Sequence, residues 1–491
     1  MLQVAENEIK KRLAFDNPWW AEGAVPQRFR DWPERAYLSG LYALVAESKV
    51  RRAAVLLGPR RVGKTVMLHQ LIQRLIDDAT QPKTILYVSV DTPVYTGLPL
   101  ERLLALFREI HGHERSARLF VFFDEIQYHP KWEVHLKSLV DSHPEIRFVA
   151  SGSAAAALRM KSQESGAGRF TDFLLPPLTF AEFLDLANRT KPDLTDLESI
   201  LSQDKITALN RDFIDYLNFG GFPEAVLDDS VRGNMDRYIA GDIIDKVLLR
   251  DLPSLYGISD TQELNRLFTT LAYNTGNEVS IDELSKDSGV AKNTLRKYLE
   301  YLEAAFLIHR LYRIDQNARH FKRAMYFKVY LTNPCIRAAL FGAVGPEDDA
   351  MGRMAETAFV SQFAHLAEIE YLYYARWAAG EVDLVFLDVG TQRPYLTAEV
   401  KWSDRPFQQP AQELNALLTF CKKNGIDQAA IATRSAQGSK HEAGIELRFE
   451  PIARTCAFVG HEMVEGILAM GWHPRSGIRF GNRATESDPR A

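Results

Sequence analysis

The chain has 491 residues, of which 46% are hydrophobic and 25% charged, a composition typical of a globular protein with more than one core. Its formal net charge of −5 excludes a strong overall attraction to polyanions. The longest apolar runs, such as LFVFF (119–123), are too short to span a bilayer, so we expect a cytoplasmic protein without a membrane partner. The three cysteines, Cys335, Cys421 and Cys456, are too widely spaced for a zinc cluster or a disulfide framework.

Residues 1–50 are predicted to form an N-terminal helical and connecting segment, and residues 51–190 a domain of alternating strands and helices. Its strands are marked by short apolar runs: RAAVLL (52–57), TILYVSV (84–90), LFVFF and IRFVAS (146–151). Helical patterns such as TVMLHQLIQRLIDD lie between these runs. The alternation predicts a doubly wound α/β domain with a parallel sheet.

The remaining chain divides into four predicted parts. Residues 171–275 have a helical pattern, and the part at 191–276 is expected to be a helical linker or lid. Residues 277–335 predict a winged helix, and residues 345–460 a mixed α/β domain with strands YLYYAR, VDLVFL and YLTAEVKW and a helix at 411–423. The tail at 471–491 is rich in Gly, Pro, Arg and Ser and is predicted to be mobile.

A glycine-rich loop between the first strand and the next helix is the clearest motif. GPRRVGKT (58–65) matches G-x-x-x-x-G-K-[ST] at every fixed position, and a chance glycine turn is the alternative. Lys64 is suited to the β/γ-phosphate oxygens of ATP, and the Thr65 hydroxyl to Mg²⁺. The expected nucleotide contacts are Gly58, Pro59, Arg60, Arg61, Val62, Gly63, Lys64, Thr65, Val66 and, farther along, Ser153. We call residues 58–65 the phosphate-binding loop.

An acidic pair ends the strand LFVFFDE (119–125). Asp124 is expected to hold Mg²⁺ through water, and Glu125 to polarise the water that attacks the γ-phosphate. Two surface acids at a strand end are the alternative interpretation.

Three further polar residues follow the next apolar strand. Ser151 and Ser153 could sense the γ-phosphate or orient water, although a plain turn explains them nearly as well. Arg169, in GAGRF, could stabilise the charge of the transition state, although a lone arginine is more often solvated.

Residues 280–308 have the pattern of a helix-turn-helix. The first helix is predicted from Ile281 to about Ser288, Gly289 makes the turn, and Asn293 or Thr294 is expected to cap the second helix. The following strands predict a wing with Arg313, Arg319, Lys322 and Arg323 between them. Between Lys292 and Lys328 there are nine Lys/Arg and three Asp/Glu, which favours DNA contact. Packing or contact with a protein partner is the alternative.

The hairpin GEVDLVFLDVGTQRPYLTAEVKW (380–402) carries a second candidate site. Because alternate side chains share a face of a strand, Asp383, Glu399 and Lys401 can converge if its strands pair. Asp383 and Glu399 suit Mg²⁺ or Mn²⁺, and Lys401 can orient the attacking water. Glu356, on the preceding helix, could complete this set, which we call the acid–lysine site. A solvated charged rim is the alternative.

The ordered motifs resemble two known groups. GPRRVGKT, DEIQYHPKW, SGSAAAALR, GRFTDFLLPPLTFAEF, GGFPEAV and DLPSLYG resemble prokaryotic AAA-type ATPases related to the STAND NTPases, whose C-terminal domain long had no assigned function. The resemblance implies a sensor position at Ser151 or Ser153 and a sensor or arginine finger at Arg169, acting within a subunit or across a homo-oligomer interface. GEVDLVF followed by AEVKW resembles the PD-(D/E)XK nuclease arrangement, of restriction-endonuclease-like fold, although Val382 replaces its usual proline.

Three functions therefore remain open. The first is a Mg²⁺-dependent ATPase that binds DNA and couples ATP to metal-dependent phosphodiester cleavage, in repair, recombination or defence. The second is a molecular switch in which slow ATP hydrolysis changes how a non-catalytic nuclease-like module meets its partner. The third is an ATPase that remodels protein complexes, with the winged helix as an interaction module.

Overall fold

The computed structural model of the protein describes residues 5–153, 168–194, 199–258, 260–319, 326–363, 372–388 and 390–469. A group of short helices precedes the first strand. They span Glu6–Asp16, Trp19–Glu22, Gln27–Arg30 and Leu38–Tyr42, with a π-helical turn at Ala43–Glu47. Apolar side chains of these helices, such as Leu13 and Trp19, are buried in the same core as the first sheet. The N-terminal segment is therefore part of this core as well as a connection.

The first sheet has five parallel strands in the order β2-β3-β4-β1-β5. The strands are β1 (Ala53–Leu57), β2 (Ile85–Ser89), β3 (Leu119–Asp124), β4 (Ile146–Gly152) and β5 (Phe170–Leu174). The intervening helices are Lys64–Asp77, Leu100–His111 and Trp132–Ser142, with 3-10 turns at Pro82–Thr84, Pro93–Tyr95 and Ile126–Tyr128. The predicted parallel sheet is confirmed, and the carboxyl ends of β1, β3 and β4 meet at one edge, where α/β sheets bind ligands.

Strand β5 corrects the prediction that residues 171–275 are helical. It pairs with β1 at the sheet edge, with Ala53 opposite Phe170 and Leu57 opposite Leu174. Only Phe170 and Phe173 of its five residues are buried, so it lacks the continuous apolar run that marked the other strands. Helices begin after it, at Phe180, where Thr179 and Glu182 form a capping box.

The region between the two sheets is helical, in agreement with the prediction for it. Its helices are Phe180–Leu186, Gln203–Phe219, Pro223–Leu227, Asp229–Arg232, Leu252–Tyr256 and Thr261–Tyr273, and Arg237–Asp251 is π-helical. We call residues 191–335 the middle region.

The helix-turn-helix pattern gives the helices Ile281–Ser288 and Lys292–Ala304, preceded by strand β6 (Glu278–Ser280). Gly289 makes the turn with a φ of 74°. The predicted cap of the second helix is wrong: its N-cap is Ala291, and no side chain caps it, because the helix begins one residue before Asn293. Strands β7 (Ile308–Ile314) and β8 (Tyr326–Leu331) follow and pair antiparallel. Lys322 and Arg323 lie outside the described residues.

The C-terminal part contributes six strands to a second sheet. They are β9 (Leu372–Trp377), β10 (Gly380–Leu387), β11 (Pro394–Val400), β12 (Gln428–Thr433), β13 (Gly438–Glu442) and β14 (Ile445–Pro451). The helices here are Cys335–Phe341, Met351–Phe363, Arg405–Gln408, Pro410–Glu413, Asn415–Asn424 and Ile452–Ala469. The helix predicted at 411–423 is thus broken, and its regular part begins at Asn415. The tail at 471–491 lies outside the described residues.

The second sheet joins the middle region to the C-terminal part. Its nine strands run in the order β13-β14-β12-β11-β10-β9-β7-β8-β6, and β7 pairs parallel with β9. The strands predicted as a wing are therefore continuous with the hairpin at 380–402. The helix Ile452–Ala469 returns toward the first sheet, and its residue Val464 is buried in the hydrophobic core beside that sheet. Among the described helices, none has the length and apolar character needed to cross a membrane.

Candidate functional site

The phosphate-binding loop leaves the carboxyl end of β1 and enters the helix that begins at Lys64. Gly58 lies so close to the chain after β5 that a Cβ there would be 2.2 Å from the Leu175 carbonyl oxygen. Gly63 has a φ of +97°, a conformation that side chains disfavour. Both glycines are required by the backbone itself, which explains the pattern at these positions.

The Lys64 side chain folds back over the loop and is buried. Its ammonium group donates hydrogen bonds to the carbonyl oxygens of Gly58, at 3.0 Å, and Pro59, at 2.8 Å. Burial lowers the pKa of Lys64, while the carboxylates of Glu125 and Asp124 act in the opposite direction. These two contacts hold the ammonium group against the loop itself.

Asp124 is the centre of the polar network at the ends of the strands. Its carboxylate accepts hydrogen bonds from the Thr65 hydroxyl at 2.8 Å, from the Tyr87 hydroxyl at 2.7 Å and from the Ser151 hydroxyl. The two predicted Mg²⁺ ligands, Thr65 and Asp124, are thus in contact. Hydroxyl and carboxylate oxygens suit Mg²⁺, so these residues fit the ion.

Glu125 has a left-handed backbone conformation, with a φ of 55°. Its amide donates to the Asp124 carboxylate at 3.1 Å and to the Ser151 hydroxyl at 3.2 Å. Its carboxylate accepts a hydrogen bond from Gln127, whose side-chain oxygen accepts one from the Ser153 amide at 3.2 Å. Burial raises the pKa of Glu125, despite the nearby Lys64 charge. Both predicted sensor serines are therefore linked to the predicted base.

Arg35, from the N-terminal segment, contacts the backbone of the phosphate-binding loop. Its guanidinium forms a buried ion pair with Glu182 at 2.7 Å and donates to the carbonyl oxygens of Val62 at 3.2 Å and Pro176 at 3.1 Å. Sequence reasoning missed this residue. Nothing near Arg35 in the sequence forms a motif, since its partners are 27 to 147 residues away.

Two arginines of the loop contact the middle region. Arg60 forms an ion pair with the buried Asp251 at 2.9 Å and donates to the Tyr128 hydroxyl at 2.6 Å. Arg61 forms more exposed pairs with Glu224 at 3.1 Å and Asp242 at 3.0 Å. Both Asp242 and Asp251 belong to the π-helical segment Arg237–Asp251. These charges join the loop to a part of the chain outside the first sheet.

Arg169 lies away from these groups. It precedes β5, at the amino end of the sheet, and its carbonyl oxygen accepts a hydrogen bond from the Ala53 amide at 2.9 Å. Its half-exposed guanidinium pairs with Asp141. The length of β1, about 16 Å at roughly 3.3 Å per residue, separates it from the loop. Within one chain it does not reach the predicted nucleotide site, and its role across a subunit interface stays a prediction.

The predicted hairpin forms, and it brings the acid–lysine site together. Strands β10 and β11 pair antiparallel, with Leu384 opposite Ala398. The Lys401 ammonium group lies 2.8 Å from an oxygen of Asp383 and 2.8 Å from an oxygen of Glu399. The pairing of β10 with β9 is irregular between Val382 and Val385, beside Asp383. Such irregularities often aim a side chain at a site.

Glu356 reaches the same cluster through residues that the sequence did not single out. Its carboxylate accepts a hydrogen bond from the Tyr330 hydroxyl at 2.6 Å and pairs with Lys328 at 3.1 Å. Lys328 also lies 2.8 Å from Glu381 and 3.8 Å from Asp383. The sequence did offer a signal for this contact, namely the single lysine in the apolar run YFKVYL. A charged side chain in a buried strand needs a partner of opposite charge.

The charges of this cluster shift one another's titration. Burial would raise the pKa of Asp383, but Lys401 and Lys328 outweigh it and the pKa lies below its ordinary value. Burial, together with the Asp383 carboxylate, raises the pKa of Glu399 well above its ordinary value. Burial also raises the pKa of Glu356, although Lys328 opposes this. Glu399 and Glu356 are therefore the carboxyl groups that hold a proton most readily.

The carboxylate oxygens of the acid–lysine site fit a hard divalent cation. Within the described residues there is no group of three or more His, Cys, Asp or Glu that could hold a metal ion. The candidate ligands are the pair Asp383 and Glu399, and proteins usually bind Mg²⁺ through one or two carboxylates together with substrate phosphates. Lys401 joins this pair, and its side chain is 39% exposed, so it has solvent into which it can move.

The basic residues of the helix-turn-helix part are largely engaged within the chain. Ion pairs join Lys292 to Asp282, Arg310 to Glu303 and Arg313 to Glu278, and Lys328 is buried in the acid–lysine site. Among the basic residues that the structure describes here, Arg296, Lys297 and Arg319 have exposed side chains on which the predicted DNA contact would depend. The local basic excess counted in the sequence thus overstates the basic surface of this part.

Two family models match this chain, and they cover different parts of it. Residues 50–184 match the model of an AAA domain (AAA_14), and residues 210–347 match the model of a domain of unknown function (DUF8612). The first match covers the phosphate-binding loop, Asp124 and Glu125. The second covers Arg60's partner Asp251, the helix-turn-helix part and Lys328.

Curated relatives are uncharacterized proteins. Two are from Methanocaldococcus jannaschii: MJ1637 is 26% identical over 315 residues, and MJ1544 is 27% identical over 283 residues. A third, from Haemophilus influenzae, is 27% identical over 283 residues. The matches cover 61%, 56% and 56% of this chain, respectively. The chain spans only 64%, 59% and 66% of the length of these relatives.

Solved structures give a distant likeness only. The match to a closed-state Hsp104:ATPyS complex with FITC casein covers 51% of this chain and 49% of the Hsp104 chain, at 14% identity and a TM-score of 0.29. The Saccharomyces cerevisiae Hsp104:casein complex covers 59% and 52%, at 15% identity and a TM-score of 0.28. TM-scores of this size carry no argument about this protein. Residues 50–184 thus match an AAA domain, and the parallel sheet that they form is consistent with that match.

Proposed function

We propose that this protein is a Mg²⁺-dependent ATPase that acts on DNA and contains a metal-dependent phosphodiester-cleaving site in its C-terminal part. The contact between the Thr65 hydroxyl and Asp124, beside Lys64, carries the ATPase proposal. Because these groups come from separate elements that meet at the carboxyl edge of a parallel sheet, they support a nucleotide site more strongly than the loop motif alone.

Thr65 and Asp124 would hold Mg²⁺, which neutralises developing charge on the β- and γ-phosphates when bound. The loop amides and the positive end of the helix beginning at Lys64 bind the phosphates. The Lys64 ammonium group leaves the carbonyl oxygens of Gly58 and Pro59 and moves to the phosphate oxygens. Glu125, oriented by Gln127, accepts the proton of the attacking water, and its raised pKa favours this transfer.

Substitution of Lys64 tests the ATPase proposal. Lys64→Ala is expected to lower ATP hydrolysis about 100-fold, the order of effect seen when one transition-state charge contact is removed. Lys205→Ala, at an exposed position on the helix Gln203–Phe219, is the matched control and should hydrolyse ATP like the wild type. Equal rates for Lys64→Ala and the wild type would show that another site hydrolyses ATP.

The acid–lysine site supports the second activity. Asp383 and Glu399 would hold one Mg²⁺ or Mn²⁺, which activates water and neutralises charge on the scissile phosphate when bound. Lys401, whose ammonium group lies beside both carboxylates, would orient the attacking water and stabilise the pentavalent phosphorus centre. The new P–O bond forms from water, which gives up a proton to solvent, as the P–O bond to the leaving deoxyribose oxygen breaks, and that oxygen takes up a proton.

DNA cleavage is tested on linear, single-stranded and branched DNA, with Mg²⁺ or Mn²⁺ and with or without ATP. Wild type and Lys422→Ala, a substitution at an exposed position on the helix Asn415–Asn424, are expected to cut at least one substrate. Lys401→Ala is expected to lose this cleavage. Cleavage by Lys401→Ala at the wild-type rate contradicts the assignment.

A molecular switch is the second candidate, and the loop arginines favour it. Arg60 and Arg61 pair with acids of the middle region, so phosphate binding at the loop competes with these ion pairs. Under this proposal ATP changes how the middle region and the C-terminal part meet DNA or a protein, with or without cleavage. ATP-dependent changes in amide hydrogen exchange confined to 50–184 would contradict the switch.

A further inference from the structure

Lys328 is a charged residue in a buried strand of the middle region. It lies in β8 between Phe327 and Val329, both of which are buried, and its own side chain is only 4% exposed. A lysine in such a position is costly unless carboxylates and hydrogen bonds compensate the charge. The strand therefore keeps a lysine where an apolar residue would pack without this cost.

Two of the three carboxylates near Lys328 belong to the acid–lysine site. Its ammonium group lies 3.1 Å from Glu356, 2.8 Å from Glu381 and 3.8 Å from Asp383. Lys328 faces the Oδ1 atom of Asp383, whereas Lys401 faces Oδ2. Asp383 is thus held between two ammonium groups, one on each oxygen.

The two lysines differ in their freedom to move. Lys401 has a side chain 39% exposed, whereas that of Lys328 is enclosed and additionally lies 5.5 Å from the centre of the Tyr374 ring. A cation arriving at Asp383 and Glu399 can displace the exposed lysine. The enclosed lysine contacts both the Glu356 and Glu381 carboxylates, and these contacts would keep both from a cation bound at Asp383 and Glu399.

We propose that Lys328 is a positioning residue of the acid–lysine site, a fixed cation that holds Asp383 and Glu356 so that Asp383 and Glu399 can bind one divalent cation. This inference rests on the metal-dependent activity proposed above. The middle region thereby completes a site whose metal ligands lie in the C-terminal part. Groups that orient metal ligands commonly change metal affinity about 10- to 100-fold when removed.

Mn²⁺ binding to the full chain without nucleotide tests this role apart from catalysis. Titration calorimetry should show one Mn²⁺ bound at the acid–lysine site in the wild type and in Lys205→Met, and Asp383→Asn should abolish this binding event whether or not Thr65 and Asp124 take up an ion. Lys328→Met is expected to bind Mn²⁺ about 10- to 100-fold more weakly, and Lys328→Arg should recover most of the affinity because it restores the charge.

Circular dichroism checks that the variants fold, and the double variant Lys328→Met/Glu356→Gln is a second control. This variant removes the lysine together with a carboxylate that it neutralises, and it too should bind Mn²⁺ weakly. Wild-type affinity in folded Lys328→Met, or in the double variant if Lys328→Met does not fold, overturns the role of Lys328 and leaves the proposed function intact. Absence of Mn²⁺ binding to the wild type overturns the proposed metal site and this inference together.

Discussion

The phosphate-binding loop and the acid–lysine site both concentrate charge in buried surroundings, but they are assembled differently. The loop site collects Lys64, Asp124 and Ser151 at the ends of neighbouring parallel strands of one sheet. The acid–lysine site takes Glu356 from a helix, Asp383 from β10 and Glu399 from β11, and Lys328 contacts it from β8. A site at one sheet edge is specified by short contiguous motifs, whereas the second depends on how two regions of the chain share a sheet.

The two sites also balance charge by different means. At the loop, the Lys64 ammonium group is satisfied by backbone carbonyl oxygens, which a phosphate can replace. At the acid–lysine site, side-chain ion pairs balance the buried carboxylates. Substitutions at the first site should therefore affect turnover more than folding, and substitutions at the second should affect both.

The largest effect on folding is expected for Lys328→Met. It leaves buried carboxylates without the lysine charge, and breaking a buried ion pair typically costs about 3–5 kcal/mol in the free energy of unfolding. Lys401→Met is the comparison, and a smaller loss is expected because the Lys401 side chain is 39% exposed and its charge is less costly to desolvate. Urea unfolding of both variants measures the difference. Equal losses would mean that the two lysines are equally buried in solution.

Glu125→Gln should separate binding from turnover at the loop. The amide keeps the size and the contact with Gln127 but cannot accept a proton, so ATP hydrolysis should fall about 100-fold with little change in ATP affinity. In the wild type, the rate should fall as the pH drops through the raised pKa of Glu125, because the base must be ionised. A hydrolysis rate within twofold of the wild type would exclude Glu125 as the base.

How much the sequence predicts differs between these sites for physical reasons. The loop glycines are needed by the local backbone, and Asp124 follows a continuous apolar strand, so both are visible in short segments. The convergence of Asp383, Glu399 and Lys401 follows from strand alternation, and the hairpin forms as predicted. The partners of Glu356 were missed because Lys328 contacts Glu356 only when the middle region and the C-terminal part share one sheet. The pairing of β7 with β9 creates that sheet, and no local sequence pattern specifies this pairing.

Errors elsewhere have similar causes. Strand β5 was missed because its edge position leaves Thr171 half-buried and Asp172 exposed, and these polar residues break the apolar run. Arg169 was placed near the nucleotide by motif, although it lies before β5, at the far end of the sheet. A motif shows where a residue lies along the chain. Which edge of the sheet the residue occupies depends on whether it precedes or follows its strand.

The loop arginines provide a smaller test of how the AAA-type domain is joined to the middle region. Arg60→Ala should cost about 2 kcal/mol in the free energy of unfolding, because Arg60 is mostly enclosed and faces the buried Asp251. Arg61→Ala is the matched control, and its exposed pairs should be worth less than about 1 kcal/mol. Chemical denaturation of both variants checks this order, and a larger loss for Arg61→Ala would contradict it.

The smallest expected effect concerns the pH dependence of stability. The pKa of Glu399 is raised in the folded protein, so the folded state retains a proton that the unfolded state releases. The resulting stabilisation is complete below the ordinary pKa of 4.5 and is lost as the pH rises through the raised pKa. Glu399→Gln should therefore flatten the fall in unfolding free energy as the pH rises above 4.5.

The control for this experiment is Asp383, whose pKa is lowered. Its contribution is lost only as the pH falls below its ordinary value of 3.8, outside the range measured. An unchanged slope in Glu399→Gln would show that other groups cause the pH dependence.

The central claim is that one chain holds two chemically separate phosphate-cleaving sites. Parallel assays of ATP hydrolysis and Mn²⁺-dependent DNA cleavage on Lys64→Ala and Lys401→Ala test it most directly. We predict that Lys64→Ala loses ATP hydrolysis, and that Lys401→Ala keeps the wild-type ATPase rate and loses DNA cleavage. Wild-type protein that cuts none of the DNA substrates, or a Lys401→Ala variant that cuts them as well as the wild type, would contradict the account.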